Sequence, residues 1–363
     1  MSAINRKRIK QVQVGPVLIG GGAPVSVQSM CTTDTRDVKS TLEEIGRLDE
    51  AGCDIVRVAV PDAEAAQALH RICLKSPIPV VADIHFDYRL AISAIRSGAN
   101  KIRINPGNMR DGDGLMKVAE EARKACVPIR VGVNAGSLDR RLVDEYGGVT
   151  PETLAASAVL AVRELERLDF TDLVVSAKAS SPRLMIEAYR ILSDALDYPL
   201  HLGVTEAGTM SEGVIRSAVG IGTLLSEGIG DTIRVSLTAD PVEEVRAGFA
   251  ILKALELRQR GATLISCPTC GRTEVPLMEI AEEMERRLAS VKEPIKVAVM
   301  GCVVNGPGEA READVGIAGG KDHFVLFRRG EVVRRISKEK AVDELTAEID
   351  KLLSERADRF RSV

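Results

Sequence analysis

The sequence predicts an α/β protein in two parts. An N-terminal (β/α)8 barrel, residues 1–260, precedes a small C-terminal α/β domain, residues 261–363, that holds a redox metal centre. Three observations point there. Short β-rich segments alternate with helical ones eight times over roughly 240 residues, the count and length of such a barrel. The alternation stops after Arg260. Beyond it stand a Cys-x-x-Cys pair, Cys267 and Cys270, and a third cysteine, Cys302, in a Gly-rich loop.

Barrel strands are read at 25–29, 55–60, 80–84, 101–105, 129–133, 173–176, 200–204 and 232–236, with helices between them at 38–51, 88–97, 115–126, 151–168 and 241–260. Gly52, Gly98 and Gly230 fall where a left-handed helix stop is needed. Pro151, Pro182 and Pro241 stand at first helical positions. An open doubly wound sheet is the rival, but its Gly-rich loop follows the first strand, whereas Gly20-Gly21-Gly22 precedes it here. Residues 11–20 read as a strand or hairpin outside the barrel, closing its bottom. The C-terminal part is expected to hold a helix at 276–291, strands at 295–299, 314–317 and 324–327, and a charged amphipathic helix at 338–356.

Composition narrows the function classes. With no Trp, six Phe and four Tyr, the core must be aliphatic. A net charge of −3 leaves no electrostatic footprint for nucleic acid or an anionic membrane, so any basic site is local. No apolar run reaches the roughly 18 residues of a membrane span. Met1–Lys10 lacks the apolar stretch of a signal peptide. The expected setting is the cytoplasm, where cysteines stay reduced. Cys53, Cys73 and Cys126 then read as buried packing groups.

The working residues of such a barrel sit at the C-terminal strand ends, and those ends are polar here. Arg57 lies in strand two, Asp83-Ile84-His85 ends strand three, and Arg103 and Asn105 share a face of strand four. Arg130 and Asn134, Ser176 and Lys178, and Arg234 and Ser236 share faces in the same way. Charges inside apolar strands are costly unless paired or liganded. Arg57, Arg103, Arg130, Lys178 and Arg234 converging on one mouth would repel each other and call for a multiply charged phosphate ligand. A lone strand Arg is more often a structural ion pair; five from five strands are not. Glu206, after strand seven, is either a partner for one Arg or a proton-transfer group. His85 faces the same site. His201 begins a strand, at the wrong end for chemistry.

Cys267, Cys270 and Cys302 leave one coordination position open. Zinc would ask for a fourth Cys or His nearby, and a thioredoxin-like dithiol would not need Cys302. An iron–sulfur cluster with three thiolates fits best, and Glu309 is an available oxygen ligand. Zinc and bare thiols remain the alternatives.

Taken together, these motifs resemble the bacterial 4-hydroxy-3-methylbut-2-enyl diphosphate synthases of the non-mevalonate isoprenoid pathway, over nearly the whole chain. The resemblance is carried by Val27-Gln28-Ser29-Met30, Ala82-Asp83-Ile84-His85, Lys101-Ile102-Arg103-Ile104-Asn105-Pro106-Gly107-Asn108, Gly132-Val133-Asn134-Ala135-Gly136-Ser137-Leu138, Val204-Thr205-Glu206-Ala207-Gly208, Arg234-Val235-Ser236-Leu237, Cys267-Pro268-Thr269-Cys270-Gly271-Arg272 and Met300-Gly301-Cys302-Val303-Val304-Asn305-Gly306-Pro307-Gly308-Glu309. It implies reductive ring opening and dehydroxylation of 2-C-methyl-D-erythritol 2,4-cyclodiphosphate. It also implies a 4Fe–4S cluster on Cys267, Cys270, Cys302 and Glu309, flavodoxin or ferredoxin as donor, and a homodimer whose cluster domain closes on the partner barrel. Arg57, Arg103, Arg130, Asn134, Lys178, Arg234 and Ser236 match the family's diphosphate grip, with His85 and Asn105 beside them. Glu206 matches the carboxylate near the reacting hydroxyl. Cys31 departs from the pattern, where Thr is expected, and the long insertion of plant members is missing. The rival from another class is a redox-inert phosphate-binding transferase with a zinc-braced C-terminal module. A third reading makes the C-terminal part a sensor or docking domain on an inactive barrel.

Overall fold

A computed structural model describes residues 4–105, 113–302 and 311–361. The chain forms two compact units, Met1–Arg258 and Gln259–Val363.

The first unit opens with the expected hairpin, β1 (Gln11–Val14) antiparallel to β2 (Val17–Gly20). Eight strands follow: β3 (Ser26–Met30), β4 (Ile55–Ala59), β5 (Val80–Asp83), β6 (Lys101–Ile104), β7 (Ile129–Asn134), β8 (Leu173–Lys178), β9 (His201–Leu202) and β10 (Thr232–Ile233). They pair in parallel in chain order from β3 to β8, and β10 lies between β9 and β3. A single parallel bridge, Val175 to Leu200, joins β8 to the start of β9 and closes the ring. The (β/α)8 barrel read from the sequence is therefore present.

Helices α1 (Val38–Ala51), α2 (Ala63–Lys75), α3 (Tyr88–Arg96), α4 (Gly114–Ala125), α5 (Arg140–Glu145), α6 (Pro151–Glu166), α7 (Pro182–Ala195), α8 (Met210–Ser226) and α9 (Pro241–Ala254) connect the strands. Their starts are chemically marked. Asp62 accepts from the Ala65 amide, Ser181 from Leu184, and Asp240 from Val242, while Pro151, Pro182 and Pro241 open their helices. Gly52 and Gly98 take left-handed conformations after α1 and α3. Three expectations need correction. The stop after α8 is Gly228, φ +80, rather than Gly230. The last barrel helix ends at Ala254, not near residue 260, because Glu256 adopts φ +56 and Arg258 turns back to the strands. There Arg258 donates to Val25 O at 3.0 Å and grips Asp54 at 2.5 and 3.1 Å. Cys126 is exposed, not buried, since it occupies the left-handed stop of α4.

Strand side chains alternate between two environments. Val27, Val56, Val58, Ala82, Ile102, Ile104 and Val131 point outward into an aliphatic core beneath the helices. At the N-terminal ends of the strands, Ile55 and Val81 pack with Val14 and Ile19 of the hairpin. The hairpin thus plugs the bottom of the barrel.

The second unit is a five-stranded sheet ordered β11 (Ala262–Ser266), β12 (Ile295–Met300), β13 (Val315–Gly319), β14 (Phe324–Arg328), β15 (Glu331–Ile336). The first three are parallel and the last two antiparallel. Helices α10 (Leu277–Leu288) and α11 (Ala341–Arg361) bury Met284, Leu345 and Ile349 with Val297, Ile317 and Phe324. Residues 338–340 form a 3-10 turn ahead of α11, rather than its first turn. Among the described residues no helix is long and apolar enough to cross a membrane.

Replacing buried Ile19 by Ala should lower the stability of the barrel by about 2–5 kcal/mol, the usual cost of an unfilled core site. The same change at neighbouring Leu18, which is 43% exposed, should cost less than about 0.5 kcal/mol. Urea unfolding followed on the barrel transition compares the two.

Candidate active site

The inner face of the barrel is cationic. Arg57, Arg103, Arg130, Lys178 and Arg234 project from β4, β6, β7, β8 and the residue after β10, and the first four are buried. Lys101, one alternation below Arg103 on β6, adds a sixth, fully buried cation that the sequence reading did not single out. Such crowding needs room. A Cβ on Gly132 would lie 2.3 Å from Arg103 Nε, and one on Gly203 would lie 2.5 Å from Lys178 Nζ. These two glycines vacate the inner wall for the cations.

Two carboxylates partly balance them. Asp83 accepts from Arg103 Nη1 at 3.0 Å and lies 3.6 Å from Arg57 Nε. Burial alone would raise Asp83, but the charges of Arg57, Arg103 and Arg130 hold it down at about 2. Glu244, on α9, binds Arg234 through two contacts of 3.1 Å and accepts from Ser29 Oγ at 2.8 Å and the Leu237 amide at 3.1 Å. Arg57 donates to the thioether of Met30 at 2.9 and 3.1 Å, a weak acceptor for a guanidinium. Burial lowers Arg57 to about 10, with the positive charges of Arg234 and Arg103 adding to it against Asp83. Arg130 and Lys178 have no carboxylate within ion-pair distance among the described residues. Burial, then neighbouring cations, push both well down.

The remaining polar residues ring the mouth. Asn105 is buried, and Asn134 ends β7. With its amide turned to satisfy both ends, Asn134 accepts from Arg103 Nη2 at 3.3 Å. Ser236 is half-buried, two residues beyond Arg234. His85 is exposed, with Nε2 3.7 Å from Asp83. Glu206 is exposed and held at φ +52, a left-handed conformation that a non-Gly residue adopts at a cost. The loop after β3 is held by Glu44 of α1, which accepts from the amides and hydroxyls of Thr32 and Thr33 at 2.8–3.1 Å. Cys31, in that loop, is buried, and burial followed by the Glu44 charge drives its thiol far up. It is a packing group. Glu44, Glu244 and Lys101 escaped the sequence reading. The two acids are helix residues that show no partner until the fold brings one, and Lys101 begins its strand.

In the second unit, Cys267 follows β11 and Cys302 follows β12, neighbouring parallel strands with Ser266 opposite Val299. The Gly301 amide donates to Cys267 Sγ at 3.2 Å, tying the two cysteine loops together. Cys270 sits in a tight turn, its amide donating to Thr273 Oγ1 at 3.1 Å while its carbonyl accepts from the Thr273 amide at 3.0 Å. Hydrogen bonds from the Arg272 backbone and side chain lower its exposed thiol. Accessible thiols with an amide already aimed at one sulfur suit a sulfur-ligated metal centre. Among the described residues no three Cys, His, Asp or Glu side chains converge into a finished metal site. Glu309, the expected fourth ligand, lies outside the described residues, as do Pro106, Gly107 and Asn108.

The thiol environments are separable by alkylation. In metal-free protein near neutral pH, iodoacetamide should modify Cys270, whose lowered pKa yields thiolate at lower pH. It should leave buried Cys53, raised to about 12 by burial, untouched; peptide mass mapping reads both. Introducing Ala at Gly132, where the nearest atoms to the new Cβ all belong to the Arg103 side chain, should displace Arg103 and weaken binding of inorganic pyrophosphate at least tenfold by calorimetry, with the fold retained by circular dichroism.

Comparison with known proteins bears on both units. The family description "GcpE TIM-barrel domain" matches residues 9–249, and "GcpE protein C-terminal domain" matches 263–351. A protein of Caldanaerobacter subterraneus subsp. tengcongensis is 55% identical over 96% of this chain and 99% of its own length. One of Geobacter sulfurreducens is 55% identical over 97% and 99%. Both are named 4-hydroxy-3-methylbut-2-en-1-yl diphosphate synthase (flavodoxin). A dihydropteroate synthase of Yersinia pestis, 11% identical, matches 69% of this chain and 100% of its own with a TM-score of 0.50, a likeness of fold alone. With both family descriptions matched and identity above half along nearly the whole length, the chain belongs to the GcpE family of 4-hydroxy-3-methylbut-2-en-1-yl diphosphate synthases.

Proposed function

We propose that this synthase grips 2-C-methyl-D-erythritol 2,4-cyclodiphosphate at the barrel mouth with Arg57, Arg103, Arg130, Asn134, Lys178, Arg234 and Ser236, with His85 and Asn105 alongside. We propose further that Cys267, Cys270, Cys302 and Glu309 hold a 4Fe–4S cluster. The observation that carries the first part is the charge imbalance. Arg57, Arg103, Arg130, Lys178 and Arg234 face two carboxylates, and Arg130 and Lys178 are buried without one. A diphosphate supplies what the protein lacks.

Reductive ring opening consumes two electrons and one proton. It breaks a carbon–oxygen bond of the ring, releases the neighbouring hydroxyl as water, and leaves the diphosphate with one more negative charge. When bound, the cluster supplies the electrons one at a time. The residues of the barrel do the rest. Their cations stabilise the diphosphate more strongly as its charge grows, which favours the transition state over the bound ring. Glu206, at the mouth, delivers the proton to the departing hydroxyl. Its exposure supports this role, because a proton given up in each turnover has to be replaced from solvent. Flavodoxin, in the names of the relatives, is the donor this reading adopts. The cytoplasm, which keeps the thiols reduced, is the setting, and a homodimer is the assembly.

Glu206→Gln should leave the KM for the cyclodiphosphate within about threefold and cut kcat by about 10²–10⁴; steady-state kinetics with reduced flavodoxin measure both. Retained turnover would remove Glu206 from proton delivery. Arg130→Met should weaken substrate binding by about 1.5–3 kcal/mol, roughly ten- to a hundredfold. Anaerobic reconstitution should give about four irons per chain with broad absorption near 400 nm, and Cys302→Ser should lower the iron content. Stoichiometric zinc in a colourless protein would overturn the redox reading.

A further inference from the structure

Beneath the arginines the barrel holds a second polar layer, and its atoms have no partners. Lys101, at the start of β6, is fully buried, and nothing among the described residues accepts from its Nζ. His201, at the start of β9, is as deeply buried, and neither ring nitrogen has a partner. Arg130 Nε and Nη1, both amide atoms of Gln28, and the hydroxyls of Ser26 and Thr232 are buried in the same condition. The strand register sets these residues in the lower turns of the barrel, with Arg130 opposite Arg103, one alternation beyond Lys101. Thr232 lies opposite His201 on one side and Ser26 on the other. Lys101 lies opposite Val81, which packs on Val14 and Ile19 of the plug. The layer therefore sits on the floor of the barrel, and Arg130, the second residue of β7, links it to the rest of the proposed diphosphate grip above.

Water or an anion could fill such a floor. Water satisfies donors but leaves the charge uncompensated. Charge is what this interior lacks. Six cations face Asp83 and Glu244, and both carboxylates are engaged by Arg57, Arg103 and Arg234 in the layer above. His201 is held neutral by burial, then by Arg130, Lys178 and Lys101, so it offers a single N–H rather than a further charge. Lys101 offers an ammonium, Arg130 a guanidinium edge, His201 an imidazole N–H and Thr232 a hydroxyl, all buried and without partners among the described residues.

We propose that Lys101, Arg130 and His201 hold a small monovalent inorganic anion, of the chloride class, in the floor of the barrel. Thr232 and Gln28 complete its shell. The site shares Arg130 with the diphosphate grip but adds Lys101 and His201, which the grip does not use, and it does not depend on which substrate the mouth takes. The anion keeps Lys101 protonated and relieves the repulsion that Arg130 would otherwise feel from below.

The test uses the full-length protein crystallised with bromide as the only halide and with inorganic pyrophosphate added to occupy the mouth. An anomalous difference peak within hydrogen-bonding reach of Lys101 Nζ and the His201 ring is expected, and Lys101→Met should abolish it. In solution, replacing gluconate by chloride at constant ionic strength should raise the Tm of the wild type, since a ligand bound only to the folded state stabilises it. The Tm of the Lys101→Met protein should not respond. Should that variant fail to fold, His201→Phe, which keeps the cation but removes a donor, should weaken the peak and shift the chloride response to higher concentration. Ordered water without anomalous signal at the floor, bromide only among the mouth arginines, or a chloride-independent wild-type Tm would each overturn the proposal. None of these outcomes bears on turnover of the cyclodiphosphate, so the two readings fail separately.

Discussion

Six positive side chains face inward from a closed ring of eight strands, and much of the barrel unit is organised around keeping them there. Like charges at such range would drive the strands apart if left bare. The protein answers locally, with Asp83 between Arg57 and Arg103 and with Glu244 reaching in from the first turn of α9 to Arg234. It answers sterically with Gly132 and Gly203, whose missing side chains make space for Arg103 and Lys178. The outward face of the same strands is aliphatic and packs under the helices, so stability and charge are separated by one residue of alternation. What the two carboxylates leave uncompensated is the capacity to bind anions.

The barrel was legible because its signals are local. Period-two strands, Pro at helix starts and Gly at helix ends each act over a few residues, and their eightfold recurrence specifies the fold. The inward arginines and Lys178 were legible for the same reason, since a charge in an apolar strand is visible against its neighbours. Lys101 was not, because at the first position of β6 it reads like a boundary residue. Glu44 and Glu244 resembled any acid on an exposed helix face; only the packing of α1 and α9 shows them turned inward. The overlong reading of the last barrel helix has a similar origin. Its apolar pattern continues past Ala254, and the Arg258 to Asp54 contact that ends it joins residues far apart in the chain.

In the second unit the sequence revealed the three middle strands and neither edge. An edge strand pairs on one side only and carries less of the core, so its hydrophobic pattern is diluted. β15 is exposed along most of its length, and β11 is half-buried. Yet β11 is the strand that delivers Cys267, and its parallel pairing with β12 sets the two cysteine loops side by side. The Cys-x-x-Cys was obvious from spacing, whereas its nearness to Cys302 rests on an edge strand that spacing did not announce.

The hairpin plug has a consequence for traffic. With Val14 and Ile19 sealing the floor against Ile55 and Val81, the barrel is a well with one opening rather than a tunnel. Whatever enters over the ring of strand ends leaves the same way. On the diphosphate grip proposed above, product still resting on the cations bars the next substrate molecule, so competitive inhibition by product is the expected pattern. On that same proposal the opened diphosphate, which carries more charge than the ring it came from, is held more tightly, so the grip that speeds the chemistry also slows departure.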